Sequence, residues 1–388
     1  MSHGRRVIFV GVAVALWLSI ILGIGEVLAR AFITPTCLPA PPVPRQIDPY
    51  QPNPYFFFAR PYLQIYVPGS TFEAARSSYR VTYHINRRGF RGPETAGRET
   101  TRLKRLLVIG DSLVEGHGVE FDQTFTQLLG QHVRDSGWDV VNAGVAGGSP
   151  IYYASNVPRY LSLEPDAALI IIFENDLTDD RAQEARFFSL PLLDEDGPLL
   201  RGTVSETGCS PWRLYTAARR VWNDVHRAPV ARIVARNRAT PVSNEEQERW
   251  TGVAPFLIAP SMIDRQWAMS QAYLDYAVES LRRHRVTVLI ASLCFGTLTP
   301  HVKEPYYRTH CHQLDDRVAT WAHRSRLPFL SLLPAISDLF ASYRPVEIML
   351  NGDGHPTPLA HAMIERALRP WIVEQLAAAD KSRAGTAP

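Results

Sequence analysis

Three short runs of nearly unbroken apolar residues, each ending abruptly in glycine or polar residues, constrain this chain more than any other feature. Leu106-Leu107-Val108-Ile109 ends in Gly110-Asp111-Ser112. Val140-Val141-Asn142 ends in Gly144 and Gly147, and Ala168-Leu169-Ile170-Ile171-Ile172-Phe173 ends in Glu174-Asn175-Asp176. A strand that is apolar at successive positions is covered on both faces, as happens in parallel sheets whose crossovers lay helices on each side. A helical pattern over residues 123–133 follows the first run. Two further strands are expected at 286–292 and 329–332. A late helix is expected at 358–375, with Leu359, Met363, Ile364, Leu368 and Ile372 at core spacing. The expected fold class is α/β: a flavodoxin-like three-layer α/β/α sandwich around a mostly parallel five-stranded sheet.

In an open sheet of this kind ligands bind beyond the carboxyl ends of the strands, where strand order reverses. With the order 2-1-3-4-5, Ser112, Gly147 and Asn175 would converge from three adjacent strand ends. A serine hydroxyl becomes a nucleophile when an oriented imidazole takes its proton and a carboxylate fixes the imidazole tautomer. Asp353-Gly354-His355-Pro356 supplies both partners late in the chain. Each piece alone is weak, and order and placement carry the reading. Asp111 and Asp176 read as loop braces rather than reacting groups, and His117, in Gly116-His117-Gly118, reads as a loop residue. No G-x-S-x-G elbow is present, which argues against a lipase-type α/β-hydrolase.

Taken together these blocks resemble the SGNH (GDSL-type) hydrolase family over about residues 103–376, interrupted by a long insertion. Gly110-Asp111-Ser112 matches the nucleophile block. Asn142-Ala143-Gly144-Val145-Ala146-Gly147 and Asn175-Asp176 match the blocks that contribute oxyanion donors, and His355 matches the catalytic histidine. Asn86-Arg87-Arg88-Gly89-Phe90-Arg91-Gly92 looks like the N-terminal region of membrane-anchored bacterial members. The resemblance implies Ser112, Asp353 and His355 as catalytic residues, and Ser112, Gly147 and Asn175 as the oxyanion hole, with no cofactor and no metal. One departure stands out. The family usually has Asp three residues before its His, where this chain has Gly352, and Asp353 sits two before. Gly354 between them is permissive enough for Asp353 to curl back, whereas Glu347 lies before the loop and Glu365 inside the helix.

Residues 7–25 are uncharged and mostly apolar. About 19 residues span roughly the hydrocarbon core of a bilayer, and Arg5 and Arg6 before them favour a cytoplasmic N-terminus. Ala29-Arg30-Ala31 also fits a small-x-small cleavage site, so a signal peptide competes with an uncleaved anchor, which the length of the run favours. Both readings put the rest of the chain outside the cytoplasm. Eight prolines between Pro35 and Pro54 read as a spacer standing the domain off the membrane. The expected organisation is an anchor at 1–34, a Pro-rich spacer and N-terminal extension at 35–100, and the hydrolase-like domain at 101–388. A helical insertion is expected at about 177–265, too long for a plain connection. Within it Trp212, Tyr215, Trp222 and Val225 share a helical face, while Arg213, Arg219, Arg220 and Arg227 add positive charge. That pattern reads either as a cap packed by its aromatics with a solvated arginine face, or as a lid attracting an anionic glycan or lipid.

The net charge of +3 gives no basis for a nucleic-acid partner. Cys37, Cys209, Cys294 and Cys311 lack zinc-site spacing, and an extracytoplasmic location would permit disulfides among them. His310 and His312 flank Cys311 but read as a polar loop. The sequence therefore points to a membrane-tethered extracytoplasmic serine esterase acting on small O-acyl, chiefly acetyl, esters. Its partners would be an acyl ester substrate, such as an acylated glycan, and the membrane through the N-terminal helix. An O-acyltransferase acetylating a cell-surface or secreted polysaccharide would use the same motifs. A non-catalytic glycan-binding protein is the remaining reading.

Overall fold

The computed structural model describes residues 3–194, 196–203, 210–226, 228–239, 262–295 and 304–384. Cys209, Arg227 and the side chain of Val225 lie outside the described residues. The centre is one five-stranded sheet made of β1 (Lys104–Ile109), β2 (Trp138–Asn142), β3 (Ala167–Phe173), β4 (Thr287–Leu293) and β5 (Phe329–Ser331). Every neighbouring pair is parallel, and the order across the sheet is β2-β1-β3-β4-β5. Order reverses beside β1, so the crevice expected of this topology opens at its carboxyl end.

The apolar runs divide by parity, because successive strand residues point to opposite faces. Leu107, Ile109, Ala168, Ile170, Ile172, Val288 and Ile290 join one core cluster, covered by the helix Ile263–Arg283. Leu106, Val108, Leu169, Ile171, Leu289 and Ala291 join the other, covered by Phe125–Val133 and Pro358–Ala384. Burial on both faces leaves no position in β3 exposed. The late helix keeps Ile364, Leu368 and Ile372 buried but leaves Leu359 at the surface.

Ahead of the sheet, the strands Thr71–Arg76 and Tyr79–His84 form an antiparallel hairpin, with Gln46–Ile47 parallel beside it. Tyr55, Phe72 and Tyr83 stack in series at 4.4 and 4.8 Å between ring centres. Arg91 is buried and donates to the carbonyls of Thr82, Gly116 and Val119, which joins the hairpin to the loop following the first helix of the domain. The Pro-rich segment differs from the expected stand-off spacer. Leu38 is buried, Thr36 N–H donates to Asp194 and Arg45 N–H to the Tyr55 hydroxyl, so the segment lies along the domain.

The helix His3–Phe32, here α1, contains a 25-residue stretch, Ile8–Phe32, long and apolar enough to cross a membrane. The insertion carries several helices, among them Arg213–His226 and Ala228–Arg238. Arg213–His226 overturns both expected packings of its arginine face. Arg219 and Arg220 turn inward to the buried carboxylates of Asp196 and Asp194, while Trp212, Tyr215 and Trp222 face out. Cys294, just beyond β4, is disulfide-bonded to Cys311 on the helix Glu304–Arg324.

Candidate active site

β1 delivers Ser112 to the crevice. Asp111 caps the four-residue helix α2 (Ser112–Glu115) by accepting the Leu113 N–H at 3.0 Å, so the chain turns sharply and Ser112 opens the helix at the strand's end. The seat is tight. A Cβ on Gly144 would fall 2.2 Å from the Glu115 nitrogen, so the loop after β2 can lie against α2 only with glycine there. Asn142 fastens the same contact, donating to Val114 O at 2.7 Å and accepting from Gly144 N at 2.9 Å.

The structure brings Ser112, His355 and Asp353 into one chain of hydrogen bonds across 243 residues. Ser112 Oγ lies 2.8 Å from His355 Nε2, and His355 Nδ1 lies 2.5 Å from Asp353 Oδ1. The arrangement that satisfies both contacts has the proton on Nδ1, leaving Nε2 to accept from the serine hydroxyl. The two-residue spacing works because residues 350–355 curl on themselves. Leu350 N–H donates to His355 O and Asp353 N–H to Leu350 O, while Gly354 takes a left-handed φ of 82°. Burial alone would raise the Asp353 carboxyl, but the His117 ring nitrogen 3.8 Å away and the hydrogen bond from His355 outweigh it and hold the group well below the usual carboxylate range.

Gly147 sits beyond β2 with φ 69°, its carbonyl held by Gln183 and the preceding Ala146 carbonyl by Gln64. Asn175 caps the exit of β3. Its Nδ2 donates to Asp179 at 3.1 Å, and its Oδ1 is buried without a partner. Asp176 receives the Tyr153 hydroxyl at 3.3 Å and Asp180 the Ile151 N–H at 2.8 Å, so both act as braces within the fold. Burial raises this group of acids: Asp111 to about 6, Asp179 to about 7, Asp180 to about 8, and Asp176 upward as well. For Asp176 and Asp179 the neighbouring Asp111 charge adds to the rise.

Three residues at this site were not singled out for it by sequence. His117, expected as an ordinary loop residue, lies against His355 with ring centres 4.2 Å apart and the planes tilted by 34°, and burial followed by the His355 charge lowers it to about 4. Tyr79 bonds His117 Nε2 at 2.9 Å from the hairpin, and the Tyr50 hydroxyl donates to Asp353 Oδ1 at 3.1 Å from the N-terminal extension. The available signal for His117 was its place five residues after Ser112 between two glycines, both of which adopt positive φ. Nothing local marked the tyrosines.

Two groups among the described residues bring three metal-ligating side chains within 4.8 Å of one another: His117, Asp353 and His355, and Glu174, Cys294 and Cys311. In the first, both ring nitrogens of His355 are engaged by Asp353 and Ser112. In the second, the two sulfurs are bonded to each other.

The model of the GDSL-like lipase/acylhydrolase family matches residues 108–363. No curated protein matches the chain. Among solved structures, the chain is similar to an acetylxylan esterase from Geobacillus stearothermophilus, solved as a catalytic mutant. That pair shares 13% identity over 69% of this chain and 93% of the other, with a TM-score of 0.40. It is also similar to a psychrotrophic esterase from Pseudoalteromonas sp. (13% identity, 71% and 99% covered, TM-score 0.39). An alpha/beta hydrolase from the metagenome of Lake Arreo, Spain, gives 14% identity, 70% and 96% coverage, and a TM-score of 0.38.

Proposed function

The chain belongs to the GDSL-like lipase/acylhydrolase family, and from that premise we propose that it is a membrane-tethered, extracytoplasmic serine esterase of small O-acyl, chiefly acetyl, esters. The observation that carries the reading is the hydrogen-bonded chain from Ser112 through His355 to Asp353. His355 Nε2 takes the hydroxyl proton as Ser112 Oγ attacks the ester carbonyl carbon, and Asp353 stabilises the imidazolium that forms. The tetrahedral oxyanion is held by the backbone N–H groups of Ser112 and Gly147 and by the Asn175 amide. For that last donor, Nδ2 turns from Asp179 toward the pocket, and Oδ1 then accepts from the protonated Asp179 carboxyl, which burial raises to about 7. Collapse of the intermediate expels the alcohol, which takes the proton from His355 and leaves Ser112 acylated. Water then attacks the acyl-enzyme with His355 again as base, releasing the acid.

A small acyl group suits a serine only 7% exposed beside the packed pair His355 and His117. An acylated glycan is a fitting carrier, because its sugar stays outside such a mouth. The Cys294–Cys311 disulfide supports a location outside the cytoplasm, and the unbroken helix through Ala29-Arg30-Ala31 supports an anchor that is retained.

The decisive measurement is hydrolysis of p-nitrophenyl acetate against longer acyl chains, with the acyl-enzyme trapped and weighed. Turnover should be highest for acetate, and Ser112→Ala should abolish both turnover and the mass increment. Retained turnover in Ser112→Ala would end the covalent mechanism. Slow turnover on the simple ester that rises when a polysaccharide acceptor is added would instead mark an acyltransferase.

A further inference from the structure

A surface helix on a water-soluble body turns its apolar stripe inward and its charges outward. The helix Arg213–His226, which we call α5, does the reverse. Arg219 pairs with Asp196 at 3.1 Å, Arg220 pairs with Asp194, and both carboxylates are almost wholly buried. Thr216 on the same side is also buried. On the opposite side Tyr215, Val221 and Trp222 are 47, 67 and 56% exposed, and Trp212 just ahead of the helix is 62% exposed. At about 100° per residue, Leu214, Tyr215, Ala218, Val221 and Trp222 fall within one stripe, and the arginines fall outside it. Such a helix is stable only where the medium beyond the stripe is itself apolar.

The position of α5 identifies that medium. Glu26 of α1 accepts the N–H groups of both Arg213 and Leu214, at 3.0 and 2.9 Å, so the apolar helix caps the amphipathic one. Leu214 packs on Gly25, while Arg220 reaches the carbonyl of Thr34 beyond the end of α1. The apolar edge of α5 therefore sits at the level where the unbroken run of exposed α1 residues ends, after Ile24, and its basic edge sits toward the domain. Residues 8–25 make about 27 Å of helix, close to the thickness of the hydrocarbon core. The exit of that span is the depth at which tryptophan and tyrosine concentrate in membrane proteins.

We propose that α5 is a second membrane contact, an interfacial foot that lies in the outer headgroup region with Trp212, Tyr215, Val221 and Trp222 turned into the lipid. The foot rests on the reading of α1 as a membrane anchor. Together the two elements fix the orientation of the domain on the bilayer, which a single helix and a flexible tether would not. The occupant is lipid and not another protein, because the stripe is continuous with the apolar surface of α1.

The test uses the full chain in phosphatidylcholine–phosphatidylglycerol vesicles carrying lipids brominated either near the headgroup end or near the tip of the acyl chain. The Trp212→Phe/Trp222→Phe double variant should lose most of the quenching given by the shallow bromines. Trp17→Phe, at mid-span in α1, should lose quenching by the deep ones. Shallow quenching unchanged in the double variant, with the Trp17 signal present, overturns the foot and leaves the anchor standing. Absence of the Trp17 signal overturns both. Tryptophans shielded from acrylamide yet untouched by brominated lipid would put a protein on this face and overturn the proposal.

Discussion

At the scale of single residues, Asp353 shows how a site can tolerate an altered spacing. It lies two positions before His355, and the intervening left-handed Gly354 folds the carboxylate back onto Nδ1. Asp353→Asn keeps the shape of the side chain but cannot stabilise an imidazolium and can hold the wrong tautomer. The expected result is a fall in kcat of up to about 10⁴ with the thermal midpoint nearly unchanged. Near-normal kcat would assign the role to another group. Ser112, Asp353 and His355 were legible because each stands in a short block at a strand end or helix start, so local order reports position. Tyr50 and Tyr79 were not, since they reach Asp353 and His117 across the fold from the N-terminal extension, and no local block ties either tyrosine to those partners. His117 offered a weak signal, its two flanking glycines, which an ordinary turn would share.

Between single residues and the whole chain stand the contacts of one element with another, and there the loop after β2 governs how α2 is seated. Gly144 and Gly147 belong to the same loop but should respond differently to alanine. At Gly144 the new methyl would meet the backbone of α2 at 2.2 Å, an overpacking that costs about 1–3 kcal/mol or more and displaces Ser112. At Gly147 the nearest atom is 3.6 Å away, so only the left-handed φ is strained, at about 1–2 kcal/mol. Denaturant midpoints should fall more for Gly144→Ala, and kcat should fall with them. Equal losses in the two variants would contradict the packing argument. β1 and β3 were legible because double-faced burial leaves uniform apolar runs, whereas the strand order entered as the condition under which the strand ends converge. The packing of α5 was not, because a helical stripe of aromatics looks the same whether it faces a core or a lipid. The Pro-rich segment misled for a related reason: proline density reports stiffness and says nothing of the surface on which a stiff chain rests.

Across the whole molecule, acid should act through histidines that the fold keeps neutral. His361 on the late helix is fully buried, accepts the Phe125 N–H through Nδ1, and is lowered by burial to about 3. Its unfolded value is about 6.5. A depressed folded value means that the stabilising contribution is whole above about pH 6.5 and is lost as pH falls toward 3. His361→Gln keeps an acceptor for Phe125 and has no such proton to take up. The variant should be equal to or weaker than the parent at pH 7.5 and stronger at pH 5, as urea midpoints would show; a difference constant with pH would refute this. The distance along the chain between Ser112 and His355 has a temporal meaning. On the proposed function, a chain made and exported from its N-terminus places the anchor first and the proposed nucleophile long before its base, so each nascent or prematurely terminated chain carries an inert serine. Hydrolytic competence arrives only when the late helix closes over β1, and cells that stall or cut this chain midway release no partial esterase.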